Sequence, residues 1–338
     1  MRHRRLPAAA LVAAVATLAS SCGSSGPGRS SAPTAPARPV TTTTTAPPTR
    51  LSAVTAPWRL PDPVSRPVVL AGGSGFAVLG GLATGDTSTS RIIQVDPASG
   101  SAGVAGALAV AVHDSAGAAL GGTDYVFGGG SYSTVSTVQA WSGGGAARPV
   151  GHLPAGRSDL AAVTAGSTAY VVGGFDGSVM DPQVLATTDG TTFKTVASLP
   201  VPVRYPAVAF AAGALWVLGG VTSTSESGAA ETSAIQRIDP ATGAAAVVGH
   251  LPRPMGHATA VVLDGWVFLL GGRSGAVPSA TIWRLDPATA TVQPAGTLPQ
   301  AVSDAGSVVV GGTAYLVGGE VTGPTAPLDT VVVLRPVA

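Results

Sequence analysis

Three observations predict an all-β fold, a six-bladed β-propeller whose four-stranded antiparallel blades close by pairing the N-terminal and C-terminal strands. Glycine pairs begin at Gly80, Gly128, Gly173, Gly219, Gly271 and Gly318, at intervals of 45–52 residues. Each pair ends a short apolar strand: FAVLGG, DYVFGG, AYVVGG, LWVLGG, VFLLGG and AYLVGG. The last unit stops after three strands, while an orphan strand, LSAVTAPWRLP at Leu51–Pro61, precedes the first unit. A fixed period of this size marks solenoids and propellers.

The chain opens with MRHRR and the apolar run LPAAALVAAVATLAS. That run is shorter than the ~20 residues a membrane-spanning helix needs. It reads as a secretory signal over residues 1–21. The one cysteine of the 338-residue chain, Cys22, follows directly, so no intrachain disulfide can form. The stretch Leu18-Ala19-Ser20-Ser21-Cys22 resembles the lipobox of bacterial lipoproteins, with Leu one place further from the cysteine than usual. That resemblance implies an acylated Cys22 as the first mature residue. The expected location is the extracellular side of the cytoplasmic membrane, with plain secretion as the alternative. Residues 22–50 are rich in Pro, Thr and Ser and carry little apolar mass to bury, so they read as a disordered tether.

From Leu51 the repeat begins. A first strand such as AAVTAG or AVAFAAG precedes the glycine-pair strand. A polar loop then leads to a third strand ending in a DP turn, as in RIIQVDPASG, IQRIDPATG and IWRLDPATA. A fourth strand ends in LP, as in AARPVGHLP and TTFKTVASLP. Four strands in so few residues leave no room for a βαβ crossover. The strands are apolar almost throughout, so both faces must be covered. Radial packing of sheets does that. The Ala-rich first strands suit the crowded inner end of a blade. An aromatic three places before the pair, present as Tyr125, Tyr170, Trp216, Phe268 and Tyr315, suits the wider wedge between blades; Phe76 is one place off. The orphan strand supplies the missing fourth strand of the last unit. The propeller then spans 51–338, fastened head to tail, with its own edges paired. A monomer is expected.

The glycine pairs, the preceding aromatic and the DP turn resemble the kelch-repeat β-propeller family across essentially the whole of Leu51–Val337. The fourth strand departs from it, since kelch repeats carry a Trp there and Phe193 is the nearest equivalent. The family includes binding scaffolds, a bacterial sialic-acid mutarotase and the copper-containing galactose oxidase. The copper chemistry needs a Tyr–Cys crosslink, and Cys22 lies outside the propeller. No cofactor and no metal are expected.

Charged residues are 10% of the chain, and removal of residues 1–21 leaves 15 basic against 17 acidic side chains. Nothing in this balance favours nucleic acid, which wants a basic patch. Register supplies the site candidates. Fourteen places before each glycine pair stand Arg66, Asp114, Asp159, Tyr205, His257 and Asp304, opening the first strands. The family places that position beside the central channel, so these residues are expected to ring one mouth. Arg204 and His113 stand one place earlier and Arg157 two places earlier. Loop candidates after the pairs are Phe175, Asp176, Arg273 and Glu320. His152 and His250, in matching GHLP endings, read as turn residues.

The leading expectation is a non-enzymatic cell-surface binding or scaffold module. Its partner would be a protein or a saccharide, and its membrane contact only the Cys22 lipid. The alternative is a mutarotase-like enzyme at the channel mouth, with His257 and Asp304 or Asp159 as base and acid. Arg66 or Arg204 would then hold a carboxylate. A structural envelope protein is the third reading.

Overall fold

The apolar runs form strands that pair with their sequence neighbours and turn back at glycines. In the computed structural model, residues 49–225, 230–322 and 326–337 are described. The leader, Cys22 and nearly all of the tether lie outside them, as do residues 226–229 and 323–325.

Counted from the innermost strand outward, blade 1 comprises Val68–Gly72, Gly75–Leu79, Arg91–Asp96 and Ser101–Ala107. Blade 2 comprises Ala116–Leu120, Thr123–Phe127, Thr137–Trp141 and Arg148–His152. Blade 3 comprises Ala161–Ala165, Thr168–Val172, Gln183–Thr187 and Lys194–Ser198. Blade 4 comprises Ala207–Ala211, Ala214–Leu218, Ala234–Ile238 and Ala245–His250. Blade 5 comprises Gly256–Leu263, Trp266–Ser274, Val277–Leu285 and Val292–Val302. Blade 6 takes Gly306–Val310, Thr313–Val317 and Leu328–Val337, and its outer strand is Arg50–Val64 from the other end of the chain. That closing pair is antiparallel, with Ser52 opposite Arg335 and Thr55 opposite Val332. Closure is therefore as the split unit predicts.

The core is six separate wedges, one between each pair of neighbouring blades. The wedge between blades 6 and 1 gathers Ala56, Leu60 and Val64 of the closing strand with Phe76, Val78, Ile93 and Tyr315. The aromatics do fill these wedges. Tyr315 of blade 6 packs on Phe76 of blade 1 at 5.3 Å, and Tyr170 of blade 3 on Phe210 of blade 4 at 6.2 Å. Phe76, one place out of register, points to the opposite side of its blade from the others, because side chains alternate along a strand. Ala77 occupies the other wedge in its place.

The glycine pair is a clamp between blades. A Cβ on Gly318 would lie 2.1 Å from the Val64 carbonyl oxygen, and both glycines of the pair have positive φ, 64° and 102°. The next amide, Gly319 N–H, donates to that same oxygen at 3.0 Å. Only glycine admits both the dihedral and the approach. The first glycine of every other pair meets a carbonyl of the segment that leads into the following blade in the same way, and Gly81, Gly129, Gly174 and Gly220 donate to it.

Blade 1 departs from the four-stranded expectation. Gly145–Ala146 adds a fifth, parallel strand beside Gly106–Ala107. The Gly145 oxygen lies where a Cβ of residue 106 would be, at 2.0 Å, so a glycine at 106 is what admits the extra strand.

Candidate functional site

The six register-equivalent residues do form a ring, and its first bond is in the backbone. Arg66, Asp114, Asp159, Tyr205, His257 and Asp304 all adopt left-handed φ, between 50° and 60°. Each such turn costs a non-glycine residue about 1–2 kcal/mol. The geometry aims five of the six N–H groups, all but that of Asp114, at the carbonyl of the preceding blade's ring residue. Asp159 donates to Asp114 at 2.8 Å, Tyr205 to Asp159 at 2.7 Å and His257 to Tyr205 at 3.1 Å. Asp304 donates to His257 at 2.9 Å and Arg66 to Asp304 at 2.7 Å. A run of five main-chain bonds thus crosses from blade to blade at one end of the channel, and the Arg66–Asp114 ion pair spans the remaining junction. Six bulky or charged residues in a conformation that suits glycine are strain of the kind found at functional sites.

The side chains converge as well. Arg66 holds Asp114 and Glu320 at 3.0 Å each and stands 3.6 Å from Asp304. Tyr205 donates to Asp114 at 3.2 Å and stacks on His257 with ring centroids 3.9 Å apart. His257 Nδ1 meets Asp304 at 2.7 Å, and Arg273 donates to His257 Nε2 at 2.9 Å. A guanidinium only donates, so Nε2 is the accepting nitrogen and Nδ1–H donates to Asp304. Arg204 pairs with Asp159 at 3.2 Å and lies over the rings of Phe175 and Tyr205. Three guanidiniums thus face four carboxyls, nearly all buried.

Burial and neighbours pull these groups in different directions. Burial pushes the Asp159 carboxyl up to about 7, aided by Asp114 and opposed by Arg204. Burial likewise pushes Glu320 up, and repulsion from Asp304 adds to it. Burial also works on Asp304, but His257, Arg66 and Arg273 outweigh it and hold the carboxyl well below the usual range. The Tyr205 phenol is raised by burial, then by Asp114 and Asp159. Burial lowers the Arg66 guanidinium, but Asp114, Asp304, Tyr205 and Glu320 together raise it above its ordinary value. The result is an acid that exchanges its proton near neutrality, Asp159, in the same ring as a firmly ionised Asp304.

Behind the ring, the six inner strands enclose a cavity of about 630 Å³, walled mostly by Ala, Val, Gly, Ser and Thr. Its mouth carries all six ring residues. The arrangement can donate and accept several hydrogen bonds to one small polar molecule. Arg66, read above as a fork for a ligand carboxylate, already holds carboxylates of the protein.

The structure sorts the other candidates. Arg273 and Glu320 join the ring from the loops after the glycine pairs, and Phe175 supports Arg204. Asp176 instead caps its own loop, accepting from Ser178 and Val179. Arg157 is fully buried, ion-paired to Asp181 and bonded to the Gly173 and Gln183 carbonyls, apart from the ring. His152 and His250 bond Ser136 and Ser233 at the outer strands. Sequence reasoning did not find Ser65 and Ser303, which hold Glu320 and Asp304 at 2.8 Å. Their signal is register: both stand where His113 and Arg204 stand in other blades. Among the described residues, no group of three or more His, Asp or Glu is placed to hold a metal ion.

Comparison with known proteins agrees with the fold. The kelch motif matches residues 254–299, which is blade 5 almost to the residue. The chain is a six-bladed propeller, one blade of which matches the kelch motif. The solved structure of YjhT superposes with a TM-score of 0.68 at 15% identity, over 81% of this chain and 95% of that one. At that identity the likeness concerns the fold. No curated protein matches the chain.

Proposed function

We propose that this kelch-related propeller is a rigid binding module that takes a small polyhydroxylated ligand, a saccharide, at the ring end of its channel. The observation that carries the reading is the convergence of six equivalent residues, one per blade, on one mouth of a cavity of about 630 Å³. A scaffold needs no strained polar ring there. The arginines are already paired, so the ring suits a neutral ligand with several hydroxyls better than an anion. Residues 1–50 fit the role of an export signal, a lipidated Cys22 and a tether that displays the disc on the outer side of the cytoplasmic membrane.

A glycan array probed with the mature chain, followed by calorimetry on the sugars retained, tests the reading. The Arg204→Met/His257→Phe variant is expected to lose at least about 10-fold in affinity, the worth of one good hydrogen-bonded contact. Sugar binding that this double substitution leaves untouched rejects the channel-mouth site.

One observation favours a second reading, a mutarotase-like enzyme. Anomer interconversion needs an acid and a base in one site. Asp159, pushed up to about 7, can give a proton near neutrality, and His257 can accept one once Arg273 swings off Nε2. Exchange between anomers followed by NMR tests it: Asp159→Asn is expected to lower the rate about 10²-fold or more.

A further inference from the structure

A second cavity, of about 450 Å³, lies on the ring side of blade 1. It is lined by Asp62 of the closing strand and by Thr84, Thr87, Ser88, Thr89, Ser90 and Arg91 among others. Ser88 sits on a small hairpin, Leu82–Ala83 paired with Thr87–Ser88, directly after the glycine pair. Its hydroxyl oxygen lies 2.8 Å from His113 Nδ1. The other imidazole nitrogen, Nε2, lies 3.6 Å from Asp114 Oδ2. Asp114 is itself held from behind by Arg66 at 3.0 Å and Tyr205 at 3.2 Å. His113 is fixed by two main-chain bonds with Gly130, and its ring lies over the face that Gly130 leaves bare.

Nucleophile, base and orienting acid are recognised by this geometry rather than by sequence order. We infer that Ser88, His113 and Asp114 form a second site that cleaves small carboxylic esters of polar, hydroxyl-bearing alcohols. Asp114 Oδ2, 3.6 Å away, favours the proton on Nε2, which leaves Nδ1 to accept the Ser88 proton as the oxygen attacks the ester carbonyl. His113 returns that proton to the departing alcohol as the ester C–O bond breaks, leaving an acyl-Ser88. Water then attacks the acyl carbon, giving its proton to His113, and Ser88 takes it back as the free acid leaves. The net reaction is ester plus water to acid plus alcohol. The hydroxyls of Thr89 and Ser90 line the same cleft and supply donors for the oxygen that becomes charged, while Thr87 donates to the Gly85 carbonyl and Arg91 is ion-paired with Asp62. The cleft also bears Pro63, Val64, Ala83, Ile93 and Ala111, and its hydroxyl-bearing residues select the hydroxylated alcohol.

The molecule contains its own control. Ser136–His152 at 3.2 Å and Ser233–His250 at 3.1 Å are serine–imidazole pairs too. Neither imidazole has a carboxylate within ion-pair distance among the described residues, and neither serine lines the cleft, as Ser88 does.

The test uses the full chain, a fluorophosphonate probe and peptide mass spectrometry, with p-nitrophenyl acetate hydrolysis alongside. The expected result is a phosphonate adduct on Ser88, with Ser136 and Ser233 unmodified. Ser88→Ala is expected to abolish both adduct and hydrolysis, and His113→Gln to slow both by about 10²-fold or more at unchanged melting temperature. Absence of a Ser88 adduct on the folded wild-type chain, equal labelling of Ser136, or hydrolysis that survives Ser88→Ala overturns the assignment.

Discussion

Asp159 and Asp189 belong to the same blade, yet their carboxyls move in opposite directions. Asp189, at the outer turn after Gln183–Thr187, accepts N–H bonds from Thr192 at 2.7 Å and Thr191 at 2.8 Å. Those bonds hold it well below the usual carboxylate range in full contact with water. Asp159, at the channel mouth, is buried beside Asp114 and is pushed up to about 7. The histidines divide the same way. His257 is enclosed by Asp304, Arg273 and Tyr205, while His152 merely bonds Ser136 at the edge. One residue type therefore stabilises a turn at the rim and stores an exchangeable proton at the mouth. The difference is made by what the neighbouring blades bring, not by the residue.

The strongest way to break this contrast is at the rim itself. Edge strands of other proteins fray at little cost, but the outer strand Arg50–Val64 closes the ring. It buries Leu51, Leu60 and Val64. At about 1.5–3 kcal/mol each, these three side chains are worth roughly 5–9 kcal/mol, against a typical total stability of 5–15. Deleting residues 50–64 is expected to abolish cooperative urea unfolding, whereas a chain that still melts as one unit would show the closure to be dispensable.

Next in size is Arg66→Met. It leaves Asp114 and Glu320 buried without their guanidinium and is expected to cost about 3–5 kcal/mol. Arg59→Met at the rim breaks an ion pair of similar length, 2.6 Å to Asp329, but an exposed one, and should cost at most about 1 kcal/mol. Denaturant midpoints of the two variants measure the contrast directly; equal shifts would erase it.

The pH dependence comes third. Because the folded Asp159 carboxyl sits at about 7, above its ordinary 3.8, the native state binds an extra proton between those values. Its contribution to stability is therefore largest below pH 4 and declines as pH rises through 7. Asp159→Asn is expected to flatten that limb in unfolding curves taken from pH 4 to 8. Asp189 has the opposite sign: its contribution is present above the ordinary carboxylate value and fades as pH falls through its lowered one. Asp189→Asn keeps an acceptor in the turn and, as a surface change, should shift stability at pH 7 by no more than about 0.5 kcal/mol. A large loss there would mean the rim turn carries more than local structure.

Legibility in the sequence followed symmetry. Equal spacing places residues at equal positions in a propeller, so Arg66, Asp114, Asp159, Tyr205, His257 and Asp304 could be aligned before any coordinates. Arg273 and Glu320 were visible as charged loop residues, but nothing in their spacing aims one at His257 and the other at Arg66. Ser88 was silent, because only the folded loop after the glycine pair carries it to His113.

By itself, then, the sequence determined six units, their strands, the glycine clamps and the sharing of one blade by the two ends. Those are consequences of local patterning, which a chain carries wherever it lies. Only the closed ring decided which carboxyl is ionised, which imidazole nitrogen accepts and which serine meets a base. Each of those depends on burial and on partners contributed by other blades, and neither exists until the blades have packed.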